Sequence, residues 1–171
     1  MLIRAKDENY YNIEFKPMTE DDWNILRKDN KNSRYFEFQN TLEDYGEHNP
    51  DGDEYGYEFL NYSIFVEGKL AGCVFGDDIS DREFIREFVA GTYILEKYRG
   101  IGLNGIALDS LALMSDISRI YLIIHTDNIA SVKSSRGFSL YRFQRPDEDE
   151  RFLDYVSDDD IGNLYIFYKD Y

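Results

Sequence analysis

A chain of 171 residues with 43% hydrophobic and 16% aromatic side chains is long enough for one domain with a real core and too short for two, so residues 1–171 read as a single domain. No apolar run approaches the roughly 20 residues that span a bilayer. A formal net charge of −15 repels polyanions, which argues against nucleic acid and anionic membrane as partners and favours cationic ones.

The start MLIRAKDENYYN lacks the apolar centre of a secretory leader, and Cys73 is the only cysteine. The expectation is a cytoplasmic protein without a disulfide framework or a cysteine metal site. Ile13 to Met18 alternates apolar and polar like a strand, and Thr19 followed by Glu20, Asp21 and Asp22 predicts a helix start, with a helix through Trp23, Leu26 and Arg27. Thr41 to Phe59 mixes Gly, Pro, Asn and Asp with many acids and reads as an exposed loop. Asp51, Asp53 and Gly56 echo a calcium loop there, but Tyr55 and Tyr62 stand where ligands belong, and no metal site is expected.

Asn61 to Gly76 is two apolar runs joined by Glu67-Gly68-Lys69, which predicts a tight hairpin. Phe88 to Leu95 is apolar on both parities, as expected of a central strand covered on both faces. After Glu96-Lys97-Tyr98-Arg99 come Gly100, Gly102 and Gly105, and then Leu103, Ile106, Ala107, Ser110, Leu111 and Met114 recur as one helical face. Arg119 to Thr126 reads as a buried strand, Asn128 to Phe138 as a short helix closed by Gly137, and Ser139 to Phe143 and Leu164 to Tyr168 as strands. Arg145 to Asn163 is an acidic, largely irregular insertion.

Charge is unevenly spread. Glu96 to Arg145 holds Lys97, Arg99, Arg119, Lys133, Arg136, Arg142 and Arg145 against Glu96, Asp109, Asp116 and Asp127, a local +3. Basic side chains therefore gather around the glycines, where an anionic ligand is expected.

Two ligands compete for G-x-G-x-x-G. A dinucleotide turn would place Asp127 on a ribose, but four residues, Glu96 to Arg99, separate strand from first glycine, and too little chain follows Asp127 for a second mononucleotide half. The other reading has Arg99-Gly100-Ile101-Gly102 and the helix N-terminus converge amides on an anion, with Lys97 and Arg99 adding charge.

These residues resemble the GNAT superfamily of acyl-CoA-dependent N-acyltransferases, whose loop reads R/Q-x-x-G-x-G/A between a strand and a helix; Arg99 to Gly102 match it, and Asn104 stands at the final G/A position. IEFKPMTEDDW is similar to the family's opening strand and helix, and HTDNIASVKSSRGF to its strand, Asn-containing helix and terminal Gly-Phe. The resemblance covers most of Ile13 to Phe143 and implies an α/β fold of the α+β type: a mostly antiparallel, splayed sheet of about six to seven strands flanked by helices.

It further implies direct transfer of an acetyl group from acetyl-CoA, as co-substrate, to a cationic amine. Arg99, Gly100, Ile101, Gly102, Leu103 and Asn104 would hold the pyrophosphate, and backbone near Ile94 and Glu96 the pantetheine arm. Asn128 would reach that arm or cap its own helix. Glu87 stands where family members often carry a general base, or is a solvated strand-end charge. The family's tyrosine, proton donor to the departing thiolate, is replaced by Ser135, which leaves Tyr141 as a substitute. These departures keep a non-catalytic GNAT module open as the alternative, and monomer and homodimer are both compatible with the sequence.

Overall fold

Leu2–Arg4 (β1) and Tyr10–Pro17 (β2) pair antiparallel, with Leu2 opposite Asn12. The computed structural model describes residues 2–4, 9–30, 35, 42–45, 48–52, 58–80, 85–135, 137–143, 149–155 and 162–171. Sequence pattern places the opening strand at Ile13, but it begins three residues earlier, because β1 lends Tyr10 to Asn12 a partner.

Glu20–Asp29 (α1) starts as its sequence requires: Thr19 caps it by accepting from Asp22 N–H at 3.2 Å, and Trp23 and Leu26 are fully buried. Leu42–Tyr45 (α2) adds one helical turn where a loop is expected. Leu42 packs with Trp23 and Leu26, and its N–H donates to Glu20 Oε2 at 3.0 Å. Asp53, Tyr55 and Gly56 of the calcium echo lie outside the described residues.

Phe59–Val66 (β3) and Lys69–Asp78 (β4) form the predicted hairpin. Glu67 and Gly68 both take positive φ, 51° and 72°, which fits the twist of the flanking strands. Glu87–Ile94 (β5) pairs antiparallel with β4. Leu103–Met114 (α3) follows, then Arg119–His125 (β6), Ile129–Ser134 (α4), Ser139–Phe143 (β7) and Leu164–Asp170 (β8).

The strands make one eight-stranded sheet in the order β1-β2-β3-β4-β5-β6-β8-β7, one more than the upper expectation because of β1. Every pairing is antiparallel except β5 with β6. That parallel pair is short: Glu87, Phe88 and Val89 face Arg119, Ile120 and Tyr121, and from Ala90 and Leu122 onward the two strands part.

As its apolar pattern predicts, β5 is covered on both faces. Phe88 and Ala90 join the cluster under α3 with Leu103, Ala107, Leu108 and Leu111. On the other face Tyr93 packs with Trp23 and Leu26, and Val89 with Tyr121, Ile166 and Phe152. Phe152 belongs to a 3-10 helix, Glu150–Tyr155, inside the stretch read as irregular. Along α3 the buried stripe lies further round than predicted: Leu108 and Ala112 are buried, whereas Met114 is exposed. No described helix is long and apolar enough to cross a membrane.

Candidate functional site

Beyond Val89, β5 keeps β4 on one side and, among the described residues, has no strand partner on the other. Leu95 N–H reaches Ala71 O across 2.9 Å, so by strand alternation Thr92 and Ile94 turn their main-chain groups toward the open side. From Val89 to Ile94 this edge runs about 17 Å.

At the mouth of the splay the chain turns sharply. Glu96–Tyr98 forms a 3-10 turn, with Tyr98 N–H bonded to Leu95 O and Arg99 N–H to Glu96 O. Gly100 and Gly102 then take φ of 87° and 91°, the left-handed region costly for other residues. Gly102 is the N-cap of α3 and offers no side-chain cap, and the first turn holds no acid. The N–H groups of Leu103, Asn104 and Gly105 therefore lack helical partners and present partial positive charge outward.

The side chains around this turn divide by role. Leu103 is buried and Ile101 packs on the same core, so both anchor the loop and offer only backbone to a ligand. Glu96 is exposed. Arg99 bends back, its Nε donating to Ile94 O at 2.9 Å, and Lys97 lies over the Tyr98 ring. A Cβ on Gly105 would meet nothing within 4 Å, so the first turn of α3 is open on that side. A polyphosphate with an extended amide arm fits this donor set: amides at the turn, two nearby cations, and a β5 edge leading inward that has no partner strand among the described residues and whose Ile94 O is held by Arg99 in the free protein.

Asn104 spans the gap. Its Oδ1 accepts from Thr92 Oγ1 on β5, and its Nδ2 donates to Ser134 Oγ on α4 at 2.9 Å. Asn128 caps α4, its Oδ1 accepting from Ser131 N–H at 3.2 Å. Ser135, at the position of the family's tyrosine, is buried and donates to Ser131 O at 2.9 Å. Tyr141 falls at the bulge between Leu140 and Arg142 in β7, and its side chain lies outside the described residues.

Glu87 sits at the closed end of the splay on the opposite sheet face, 6% exposed. Its Oε1 accepts from Tyr121 Oη at 3.0 Å and Arg119 Nη1 at 3.3 Å, and its Oε2 from Arg151 Nη1 at 2.8 Å. Arg151 also holds Asp149 through two bonds of 3.0 Å. The solvated strand-end charge weighed for Glu87 is thus replaced by a buried, triply bonded carboxylate. One step along the same face, burial pushes the Asp77 carboxyl up to about 6, with Tyr155 donating to it. Cys73 is buried, its thiol pushed up to about 12 by desolvation, the state of a packing residue and not a nucleophile. His125 Nδ1 lies 3.3 Å from Asp127 Oδ1.

Sequence reasoning missed Thr92, Ser134, Asp77 and Arg151. Thr92 carried a signal, as the only hydroxyl of FVAGTYIL apart from a tyrosine; Arg151, reaching β5 from a distant insertion, carried none.

An antiparallel sheet opened by one short parallel pair, with a glycine turn and helix N-terminus at the opening, is the GNAT fold, and this chain has it. Among solved structures it is similar to RimL, a ribosomal L7/L12 alpha-N-protein acetyltransferase in complex with coenzyme A, at 18% identity, covering 99% of this chain and 98% of that one with a TM-score of 0.67. It is also similar to an acetyl transferase of Salmonella typhimurium that modifies the N-terminal serine of 50S ribosomal subunit protein L7/L12 (19% identity, 93% and 95% covered, TM-score 0.67), and to the GNAT domain of S. lividans PAT (14%, 100% and 96%, 0.66). No family model and no curated protein matches the sequence.

Proposed function

We propose that this protein is an acetyl-CoA-dependent N-acetyltransferase acting on the primary amine of a cationic small molecule or protein, by direct transfer in a ternary complex. The observation that carries the reading is the open β5 edge with the Gly100–Gly102 turn at its mouth. Its geometry suits a pyrophosphate at the α3 amides and an amide arm along Ile94 and Thr92.

Acetyl-CoA supplies a thioester carbonyl for attack by a neutral amine. The chain's own part is to bind, orient and move protons. Amides of Leu103, Asn104 and Gly105, with Lys97 and Arg99, neutralise the phosphates. Glu87, committed to Arg119, Arg151 and Tyr121, is assigned a positioning role at the closed end of the splay, where it fixes Tyr121 against Val89. Tyr141 is the residue assigned to returning a proton to the departing thiolate. The net charge of −15 draws cationic acceptors toward the face and repels anionic ones. A protein amine is supported by the neighbours that acetylate ribosomal proteins.

The test is thiol release from acetyl-CoA with a panel of polyamines, aminoglycosides and basic peptides. Amine-dependent release, lowered at least tenfold in Tyr141→Phe, supports the full reading. Binding of coenzyme A without any amine-dependent release favours the second reading, a binding module, which rests on Ser135 being buried and engaged where the family carries tyrosine.

A further inference from the structure

Asn104 joins the two walls of the splay. Thr92 stands in the unpaired stretch of β5, and Ser134 on the helix that follows β6. One carboxamide accepts from the first and donates to the second. The far wall is itself braced: Ser134 Oγ donates to Ser131 O at 2.9 Å, and Ser131 N–H is held by Asn128. Nothing about α3 requires this contact, since the helix is secured by Leu103, Ala107, Leu108 and Leu111 in the core, and position 104 is half-exposed.

A primary carboxamide offers one acceptor and one donor group on a planar frame, the same pair that a secondary amide presents. A chain carrying amides and running along the open edge of β5 needs partners of this kind on both sides, because a polar group that gives up water without gaining a partner is costly. The hydroxyls of Thr92 and Ser134 are such partners, and Asn104 holds both of them.

We propose that Asn104 is a built-in surrogate for an amide of the pantetheine arm, a latch that closes the splay in the free protein and surrenders Thr92 and Ser134 when the arm enters. This rests on the reading that acyl-CoA binds in the splay. The latch sets the selectivity of the cleft: a ligand with an amide at that depth recovers both hydrogen bonds, and one without it loses them. The side chain of Asn104 is thus specificity-determining for the arm, while its backbone N–H, which Asn104→Ala leaves in place, stays with the phosphates.

Calorimetric titration separates the possibilities, with coenzyme A and adenosine 3′,5′-bisphosphate as probes on wild type, Asn104→Ala and Thr92→Val. Alanine is a good helix former, so the first variant keeps α3. Freed of two competing hydrogen bonds, Asn104→Ala is expected to bind coenzyme A about tenfold more tightly, with affinity for the bisphosphate unchanged. Thr92→Val takes one bond from the latch and one from the arm alike, so alone it is expected to change coenzyme A affinity little, and on the Asn104→Ala background to weaken coenzyme A and not the bisphosphate. Wild type that binds coenzyme A while Asn104→Ala binds it equally or less well overturns the latch and leaves the acyl-CoA reading standing. Equal tightening for both probes also overturns it, because the effect is then not on the arm. If neither wild type nor variant binds coenzyme A, the acyl-CoA reading itself falls, and the latch with it.

Discussion

Arg151 donates to Glu87 across 2.8 Å, which ties the acidic insertion between β7 and β8 to the first residue of β5. The same carboxylate takes Arg119 and Tyr121 from β6, so Glu87 fastens the one parallel strand pair among the described residues at the point where the splay begins. The position of the splay therefore depends on a side-chain network on the far face of the sheet.

Breaking that network costs stability in a graded way. Glu87→Gln leaves two guanidinium groups without their shared carboxylate and is expected to destabilise by about 3 kcal/mol. Arg151→Met leaves Glu87 with Arg119 and Tyr121, and since the Arg151 side chain is 22% exposed its loss is expected to cost about half as much. Urea unfolding of both variants checks the order; equal, near-zero effects contradict the assignment of Glu87 as a fastening.

Asp77 works against stability at neutral pH. Its carboxyl is raised from 3.8 to about 6 by burial, so the folded protein binds this proton more tightly than the unfolded chain. The contribution is fully present below about pH 3.8 and is lost as pH rises through about 6, above which the charged form costs about 3 kcal/mol. Asp77→Asn is expected to raise the melting temperature by several degrees at pH 7.5 and by about a third of that at pH 4.5. A gain that is the same at both pH values contradicts the assignment.

Two glycines of one motif respond oppositely to alanine. Gly100 has φ of 87°, and a Cβ there would meet no atom within 4 Å, so Gly100→Ala suffers backbone strain alone, about 1 kcal/mol destabilising. Gly105 lies inside α3 without positive φ and with the same open space. Gly105→Ala is expected to stabilise the free protein by about 1 kcal/mol and to weaken acetyl-CoA, because its methyl stands beside the phosphate-facing amides. Paired thermal melts and titrations measure both signs.

Much of this was legible in the sequence because local pattern and tertiary environment agree. FVAGTYIL announces a strand covered on both faces, Thr19 with three following acids announces α1, and Arg99 to Gly102 announces a sharp turn into a helix. What escaped depends on distant contacts. β1 is three residues long and exists only through Tyr10 to Asn12. Phe152 turns an acidic stretch into a core-forming 3-10 helix because Tyr121 stands 5.2 Å away. The Asn104 bridge needs three elements to meet, and Glu87 read from sequence alone is a strand-end charge because neither arginine that binds it is near in the chain.

The central claim, that the glycine turn and the splay hold acetyl-CoA, is tested most directly by the melting temperature of the full chain with the ligand in excess. At 100 times its dissociation constant a ligand stabilises the native state by about 2.7 kcal/mol, which for a chain of this length is roughly 5 to 11 °C. A rise of that size, diminished in Gly105→Ala, is the predicted result; a melting temperature unmoved by millimolar acetyl-CoA contradicts the account.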